Sequence, residues 1–293
     1  MGRLPAWFRR PIPAGSFHLT SSIVADHRLN TVCESAICPN RSECWSRKTA
    51  TFMILGERCT RRCGFCAIET ARPEPVDSGE PERVAEAAFE MGLQYVVVTS
   101  VARDDLQDEG AGHFFECVRA VKDRIEGVEV EVLTPDFHAR PELIGRVCEA
   151  GPQVYNHNLE TVERLQSRVR PQARYGRTLR VIEEVRSRFP GIRTKSGMML
   201  GLGEAETEVL QAAQDLWDAG CQILTLGQYL APSPTHLPVE EYMAPEVFNR
   251  LADTIRQMGF LEVYAGPTVR SSYHAAETFQ NVQGAEKQWW KSH

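Results

Sequence analysis

The chain has 293 residues, a length that fits one large domain or two small ones. Apolar residues make up 42% and charged residues 25% of the sequence, as in soluble globular proteins, which excludes a wholly disordered chain. Its 33 basic and 39 acidic residues give a net charge of −6, which argues against a nucleic-acid-binding protein with its usual basic face.

Targeting and membrane-spanning segments are not expected from the sequence. No window approaches the ~18 consecutive apolar residues of a membrane-spanning helix, and the basic N-terminus lacks the apolar core of a secretory signal. We therefore expect a cytoplasmic protein. Because thiols stay reduced in the cytoplasm, the nine cysteines are expected to bind metal or to catalyse rather than to form disulfides.

Apolar runs alternate with helical patterns from about residue 49 onward. The runs span residues 49–55, 94–100, 128–135, 153–158, 192–200, 221–229 and 260–266, and the helical stretches lie near 80–92, 112–126, 140–150, 160–168, 175–189, 204–219 and 245–258. This alternation predicts βαβ units and a parallel sheet, either doubly wound or a partial barrel, since periodicity does not distinguish the two. The first 45 residues and the segment from Pro267 show no clear period and are predicted to be irregular extensions.

Polar residues stand at the carboxyl ends of the predicted strands, where ligands bind in parallel α/β folds. These candidate ligand contacts are Thr99, Ser100, Asn156, Asn158, Lys195 and Glu204. Asn156 and Asn158 are two residues apart and share a face if the backbone is extended. Ordinary turn and capping chemistry is the alternative for each candidate.

A group of three cysteines, Cys59, Cys63 and Cys66, lies on the loop after the first predicted strand in a C-x3-C-x2-C pattern. Soft thiolates select zinc, copper(I) or iron–sulfur clusters. A structural zinc ion needs a fourth protein ligand, and this loop contains no further cysteine or histidine. The pattern therefore favours a 4Fe–4S cluster with one iron open to a substrate or cofactor.

Three arginines, Arg58, Arg61 and Arg62, flank this cysteine loop. Exposed charges usually contribute little, so a solvated basic loop is one interpretation. Contact with an acidic partner domain is the other.

A second group of three, Cys33, Cys38 and Cys44, has a C-x4-C-x5-C pattern, again without a histidine inside it. A zinc knuckle or three unrelated thiols are the alternatives. Its closeness in sequence to the first group favours a second cluster. The remaining three cysteines, Cys117, Cys148 and Cys221, are predicted to pack in the core as small apolar residues.

The C-x3-C-x2-C pattern after the first strand of a βα array resembles the radical S-adenosylmethionine (SAM) superfamily. Nearly the whole chain resembles the lipoyl synthase family, through the blocks TVCESAICPNRSECW, GERCTRRCGFCAI, TSVARDD, VYNHNLETV, KSGMMLGLGE, LTLGQYLAPSPTHLPV and GPTVRSSYHA. The resemblance implies an α/β fold, a partial (β/α) barrel of about six parallel strands over 49–266. Residues 1–48 would be an extension carrying the auxiliary-cluster cysteines, and 267–293 a C-terminal extension with the RSSY motif.

The resemblance also implies an activity, the insertion of two sulfur atoms at C6 and C8 of an octanoyl chain. Its substrate would be an octanoylated lipoyl-carrier domain or H protein, and its cofactors SAM and two 4Fe–4S clusters. An electron donor and an iron–sulfur carrier that rebuilds the spent cluster would be further partners, without nucleic acid or membrane.

The same resemblance assigns roles to residues. Cys59, Cys63 and Cys66 would hold the SAM-cleaving cluster, while Cys33, Cys38, Cys44 and Ser272 would hold the auxiliary cluster, the sulfur source. Ser272 is chosen by resemblance over Ser271; on an extended segment neighbouring side chains point to opposite faces, so only one serine reaches iron. Apart from the resemblance, Lys195 is one of the strand-end candidates and is expected to pair with the SAM carboxylate as a point charge.

One departure concerns Glu109, which stands where the family often has the first glycine of Asp-Gly-Gly-Ala. If that position needs a positive φ, Glu109 is strained there. Two rival functions stay open at this point. One is a radical SAM enzyme that inserts sulfur into RNA, which the acidic charge disfavours; the other is a non-enzymatic iron–sulfur carrier or zinc-stabilised scaffold.

Overall fold

The computed structural model describes residues 4–8, 17–46 and 50–282. Its strands are β1 (Asn30–Thr31), β2 (Thr51–Ile54), β3 (Arg58–Cys59), β4 (Glu69–Thr70), β5 (Tyr95–Ser100), β6 (Glu129–Leu133), β7 (Val154–Asn156), β8 (Arg193–Leu200), β9 (Ile223–Gln228) and β10 (Glu262–Gly266). Its helices are α1 (Phe17–Asp26), α2 (Val32–Ser35), α3 (Arg41–Ser46), α4 (Glu80–Glu90), α5 (Ala111–Arg124), α6 (Pro141–Glu149), α7 (Gln166–Val169), α8 (Tyr175–Arg188), α9 (Glu206–Asp218) and α10 (Pro245–Arg256), and residues 275–282 are also helical.

The main sheet has the order β1-β2-β5-β6-β7-β8-β9-β10. All neighbouring pairs are parallel except β1 and β2, which are antiparallel. The seven parallel strands follow one another in chain order, and the sheet does not close on itself within the described residues. The predicted α/β fold is confirmed, with one more parallel strand than the expected six. All carboxyl ends of these strands meet at one edge, where the site is built.

The helices pack on the sheet through two groups of buried apolar residues. One involves α4, α5 and α6 against β2, β5 and β6, and the other involves α9 and α10 against β8, β9 and β10. Cys117, Cys148 and Cys221 are buried in these groups, as predicted. Within the described residues no helix is long and apolar enough to cross a membrane.

One predicted helix, near 160–168, starts later than its sequence pattern indicates. Residues Glu163–Leu165 form a 3-10 turn, and α7 begins only at Gln166. The Gln166 amide donates to the carbonyls of Leu159 and Thr161 at 2.8 and 2.9 Å, which fixes the preceding segment as a loop. Glu160 in that loop instead pairs with Met198 as an extension of the sheet.

The N-terminal extension is more regular than its lack of period predicts. It contains α1, α2, α3 and β1, and β1 adds to the free edge of β2. The Thr31 hydroxyl caps α2 by accepting from the Glu34 N–H at 3.3 Å, and the hydroxyl of Thr20 donates to the carbonyl of the buried Trp45 at 2.9 Å. These contacts fold the extension against β2 and bring its cysteines to the sheet.

Glu109 has φ +50° and Gly110 has φ +88°. The positive φ expected at the position where Glu109 replaces the glycine of the family pattern is therefore present. The buried Glu109 carboxylate accepts from His138 Nδ1 at 2.7 Å and from Arg140 Nη2 at 3.2 Å. Hydrogen bonds to a histidine and an arginine thus offset a backbone conformation that glycine adopts more readily.

Candidate functional site

The cysteine loop after β2 carries Cys59, Cys63 and Cys66. Cys59 ends the short strand β3, which pairs in parallel with β4 across the loop. The backbone N–H groups of Arg61 and Ala102 point at Cys59 Sγ, at 3.4 and 3.3 Å. These two contacts fix the position of the Cys59 sulfur at the start of the loop.

Contacts from distant segments hold this loop in place. The Gly64 N–H donates to the carbonyl of Val169 at 2.8 Å, and the Gly64 carbonyl accepts from the Leu237 N–H at 3.2 Å. His236 Nε2 lies 3.0 Å from the Cys66 carbonyl and, because a carbonyl only accepts, carries the proton. A Cβ on Gly64 would lie 2.9 Å from the Leu237 side chain, so a larger residue would force that side chain or the loop to shift.

Arg61 lies under the loop and contacts two acidic residues. Its Nη2 is 2.6 Å from Asp104 and 2.8 Å from Asp136, and Arg177 approaches Asp136 at 3.0 Å. Burial lowers the pKa of Arg61, but the hydrogen bond to Asp104 and the charge of Asp136 outweigh it and raise the pKa above its ordinary value. Neither sequence interpretation of Arg61 holds, because the side chain is buried and paired inside the protein.

The other two arginines of the loop lie at the surface. Arg58 pairs with Glu74 at 2.7 Å, and both side chains are largely solvent-exposed. Arg62 is exposed, and its backbone N–H donates to Gln172 at 2.8 Å. Both still fit the solvated interpretation or a contact with an acidic domain.

Cys63 and Cys66 must lose their thiol protons before they can bind a metal. Burial raises the pKa of Cys66 to about 12, and burial also raises the pKa of Cys63, although the charge of Arg170 opposes it. Metal binding to such thiols releases protons and is therefore pH-dependent.

The spacing of the sulfurs disfavours a mononuclear zinc site. Tetrahedral zinc with bonds of about 2.3 Å would bring its sulfur ligands within about 3.8 Å of each other. Across the described ranges, the one group of three acidic, histidine or cysteine side chains with ligand atoms within 4.8 Å of one another is Asp104, Glu109 and His138. It contains no cysteine, and Arg61 and Arg140 already neutralise it. In each cysteine group at least one pair of sulfurs is therefore more than 4.8 Å apart, which fits a polynuclear iron–sulfur group better than a single tetrahedral ion.

The second cysteine group lines a small, half-open cavity. It is lined by Cys33, Cys38, Asn40, Cys44, Ala50, Thr51, Arg270, Ser272 and Tyr273. Burial raises the pKa of the Cys33 thiol. Three thiols and one hydroxyl around a small cavity form a four-donor set, which fits a compact iron–sulfur group with one oxygen ligand.

The neighbouring serine has a different environment. Asn158 Nδ2 donates to Ser271 Oγ at 2.7 Å. Ser271 therefore contacts the end of β7, while Ser272 lines the cavity with the cysteines. The sequence argument for choosing one serine assumed an extended segment, and that premise is wrong: residues 271–274 form a turn in which the Tyr273 N–H donates to the Arg270 carbonyl at 3.0 Å.

The C-terminal segment is tied to the N-terminal cysteine segment. Asn40 Nδ2 donates to the Thr268 carbonyl at 2.7 Å, and the Tyr273 hydroxyl donates to Glu43 at 2.8 Å. Sequence reasoning missed Asn40 and Glu43. Their position between Cys38 and Cys44 is the signal that could have identified them.

Of the strand-end candidates, Thr99, Asn156 and Lys195 hydrogen-bond within the sheet. Lys195 Nζ lies 2.9 and 3.0 Å from the two carboxylate oxygens of Glu131, with both side chains buried. The same carboxylate accepts from Asn156 Nδ2 at 3.1 Å, and the Thr99 hydroxyl donates to the Leu133 carbonyl at 2.8 Å. The expected pairing of Lys195 with a SAM carboxylate is thus at odds with the structure, because Glu131 already neutralises this ammonium.

Glu204 also bonds locally. Its carboxylate accepts from the backbone N–H groups of Gly201 and Leu202 and closes the loop after β8. Burial raises its pKa, although these hydrogen bonds lower it. Glu204 therefore shapes this loop.

Three polar atoms among the strand-end candidates are buried without a hydrogen-bond partner in the described structure. They are Ser100 Oγ, Asn156 Oδ1 and Asn158 Oδ1. Buried polar atoms are rarely left unsatisfied in native proteins. A polar ligand at the carboxyl edge of the sheet would satisfy them.

Glu160, which sequence reasoning missed, lies between the two cysteine groups. Its carboxylate accepts from Asn158 at 3.1 Å, and its φ is +70°. Its charge acts on Cys63 and Cys66 and on Arg270, and Arg270 in turn lines the cavity of the second group. Glu160 continues the alternate positions of Asn156 and Asn158, which is the signal that could have found it.

Comparison with known proteins gives relatives along almost the whole chain. A lipoyl synthase of Rhodopirellula baltica is 53% identical over 279 residues, covering 94% of this chain and 88% of that protein. Lipoyl synthases of Thermus thermophilus and Caldanaerobacter subterraneus are 52% and 51% identical, covering 94% and 93% of this chain and 86% and 96% of theirs.

Residues 53–216 match the model of the radical SAM superfamily. Among solved structures, methylornithine synthase superposes with a TM-score of 0.56 at 14% identity, covering 72% of this chain and 63% of that one. Streptococcus suis SuiB bound to S-adenosylmethionine superposes with a TM-score of 0.58 at 11% identity, covering 77% and 53%. The chain spans less than two thirds of these two structures, and their likeness concerns the fold alone.

Proposed function

The chain belongs to the lipoyl synthase family of the radical SAM superfamily, and from this premise we propose which residues carry its chemistry. It is a radical SAM enzyme that uses SAM and 4Fe–4S clusters to insert two sulfur atoms, at C6 and C8 of an octanoyl chain. The octanoyl chain is attached to a lysine of a small carrier domain. These carbons have no acidity, so acid–base side chains alone cannot open their C–H bonds, and the cofactors must do so.

In our proposal the two cysteine groups hold the two clusters. Cys59, Cys63 and Cys66 bind the SAM-cleaving cluster, and Cys33, Cys38, Cys44 and Ser272 bind the auxiliary cluster. When bound, these groups supply an electron that cleaves SAM to a hydrogen-abstracting radical, and sulfur for the product. The observation that carries the proposal is the cavity where Ser272 and the second three cysteines converge.

The protein's own residues position the reactants. Ser100, Asn156 and Asn158 offer buried oxygens without partners to the polar groups of SAM. Thr99, Lys195 and Glu204, also candidates from the sequence, support this edge through their bonds inside the sheet and the loop after β8.

Three charged side chains determine the electrostatic potential between the two cysteine groups. They are Glu160, Arg170 and Arg270. Arg170 Nη1 donates to the Asn158 carbonyl at 2.8 Å, which fixes the backbone beside Glu160. Burial raises the pKa of Glu160, opposed by the charge of Arg170. This fixed set of charges lies between the two thiol groups and replaces bulk water there.

The proposal extends to partners and location. An octanoylated lipoyl-carrier domain or H protein is the substrate, a reducing protein supplies electrons, and an iron–sulfur carrier rebuilds the auxiliary cluster. The exposed Arg58 and Arg62 beside the cysteine loop are suited to an acidic carrier domain. We place these reactions in the cytoplasm.

The test is a mass spectrum of an octanoyl-lysine peptide after anaerobic incubation with the reconstituted protein, SAM and a reductant. A product with two added sulfur atoms supports the proposal. SAM cleavage with an unchanged peptide would retain the radical chemistry but refute the substrate. Absence of SAM cleavage by fully loaded protein would favour the carrier or scaffold function.

A further inference from the structure

Two adjacent serines, Ser271 and Ser272, serve different neighbours. Ser272 lines the cavity of the second cysteine group. Ser271 Oγ accepts from Asn158 Nδ2 at 2.7 Å, a contact that joins positions 113 residues apart in the chain. The backbone of the motif is thereby joined to the end of the barrel strand β7.

The Asn158–Ser271 contact lies in a closely packed place. A Cβ on Gly197 would lie 2.6 Å from Thr225 Oγ1, 3.0 Å from Asn158 Oδ1 and 3.2 Å from Ser271 Oγ. The amide and the hydroxyl therefore pack against the bare Cα of Gly197, and a side chain at this position would displace them. Packing of this kind helps to hold positioning groups in place.

The next residue along the chain is anchored on the opposite side. The Tyr273 hydroxyl donates to Glu43 at 2.8 Å, and Glu43 belongs to α3 between Cys38 and Cys44. Ser272 thus stands between one anchor to the barrel and one to the cysteine segment. Loss of the Asn158 contact would remove the side-chain anchor on the sheet side and leave the backbone bond from the Val269 N–H to the Gly266 carbonyl at the end of β10.

We propose that Ser271 and Asn158 form a positioning pair that holds Ser272 toward Cys33, Cys38 and Cys44. This inference rests on the proposed role of Ser272 as the fourth ligand of the auxiliary cluster. Ser271 does not touch the reacting atoms in this scheme. Its effect on the auxiliary cluster is indirect, because it fixes the direction of the Ser272 side chain.

The experiment measures the auxiliary cluster alone, in the full chain with Cys59, Cys63 and Cys66 replaced by Ala. Iron release to a chelator is followed by absorbance, and the iron environment by Mössbauer spectroscopy. Ser271→Ala should release iron about fivefold faster, the factor expected for one lost hydrogen bond. Asn158→Ala also loses its hydrogen bond to Glu160 and should release iron at least as fast. The Mössbauer signal of the oxygen-bound iron should broaden or shift in both variants.

Matched variants separate positioning from general damage. Ser271→Thr keeps the hydroxyl and should behave like the parent. Ser187→Ala removes an exposed serine hydroxyl that bonds a helical carbonyl at 3.2 Å, far along the chain in α8, and should also change nothing. The double variant at 158 and 271 should release iron no faster than Asn158→Ala alone, because Ser271→Ala removes an interaction that Asn158→Ala has already removed.

Ser272→Ala in the same background distinguishes the two levels of the proposal. If it changes neither the release rate nor the spectrum, Ser272 is not a ligand and the underlying assignment fails. If Ser272→Ala accelerates release but Ser271→Ala does not, the assignment stands and the positioning pair is refuted. If a single variant takes up no auxiliary iron, the unaltered cysteine background is used instead: retained SAM-cluster iron with lost auxiliary iron supports the pair, and loss of both contradicts it.

Discussion

Lys195 Nζ lies 2.9 Å from a carboxylate oxygen of Glu131, and both side chains are almost fully buried in the middle of the sheet. The carboxylate also accepts from the Tyr95 hydroxyl at 2.7 Å and from Asn156 at 3.1 Å. The pair joins β6 and β8 across β7. It therefore fixes the strand ends that carry the candidate SAM contacts.

Breaking this pair should strongly destabilise the protein. Lys195→Met leaves the Glu131 charge buried without its cation, and we expect a loss of about 3–5 kcal/mol in the free energy of unfolding. Adding Glu131→Gln removes that charge and should restore part of the loss. Urea unfolding measures all three proteins. Arg250→Met, which breaks an exposed pair with Glu206, is the control and should leave the free energy of unfolding almost unchanged. Equal effects at the two sites would contradict this account.

Arg61 should be essential for the shape of the cysteine loop. It contacts Asp104 through Nε and Nη2 and Asp136 through Nη2, a fork that lysine cannot reproduce. Both Arg61→Ala and Arg61→Lys should therefore lower the iron bound at Cys59, Cys63 and Cys66, measured in a variant that lacks the second cysteine group. Arg62→Ala removes an exposed arginine of the same loop and should leave the iron content unchanged. If Arg61→Lys binds as much iron as the parent, a positive charge at position 61 is sufficient and the forked guanidinium is not required.

His157 should make stability fall at acidic pH. Its Nδ1 donates to the Thr134 carbonyl at 2.8 Å and its Nε2 accepts from the Thr178 hydroxyl at 3.2 Å, so the imidazole is neutral. Burial and the charge of Arg170 lower its pKa to about 4, against the opposing effect of Asp136. The unfolded chain binds the proton near pH 6.5. Between these two values only the unfolded chain is protonated, so the free energy of unfolding decreases as the pH falls through this window.

The size of this effect follows from the two pKa values. Relative to pH 7, His157 should cost about 2 kcal/mol at pH 5. Urea unfolding of the parent and of His157→Gln at both pH values measures it. The parent should lose about 2 kcal/mol more than the variant between pH 7 and pH 5. The same pH dependence in both proteins would show that this histidine is not the titrating group.

Local pattern predicts what depends on neighbours in sequence. The strands, most helices and the two cysteine groups follow from spacing, because each involves residues a few positions apart. The SAM contact predicted for Lys195 is wrong for this reason. Its partner Glu131 is 64 residues away and becomes a neighbour only through the order of the strands. Asn40 and Thr268 are 228 residues apart, so no local signal indicates that the two extensions meet. A polar side chain predicted to contact SAM is therefore available to do so only if no partner from another strand already binds it.

Glu109 offers a direct measure of backbone strain. At φ +50°, Glu109→Ala loses the contacts to His138 and Arg140 and keeps the unfavourable conformation. Glu109→Gly loses the same contacts but adopts the conformation freely. The glycine variant should therefore be more stable than the alanine variant by about 1 kcal/mol in urea unfolding. An alanine variant as stable as the glycine variant would show that the loop relaxes to a negative φ.

The chemistry of position 272 predicts a loss of turnover without a loss of metal. A serine oxygen is a harder ligand than a thiolate and holds iron less firmly in a sulfur-rich set. Ser272→Cys supplies a fourth thiolate at the cavity of Cys33, Cys38 and Cys44. We expect this variant to retain as much iron as the parent but to form less lipoyl product in the octanoyl-peptide assay. Ser187→Cys, at an exposed position of α8, controls for the added thiol and should turn over normally. Undiminished product formation by Ser272→Cys would refute a required oxygen ligand, because a cluster whose sulfur enters the product must be released from its ligands during turnover.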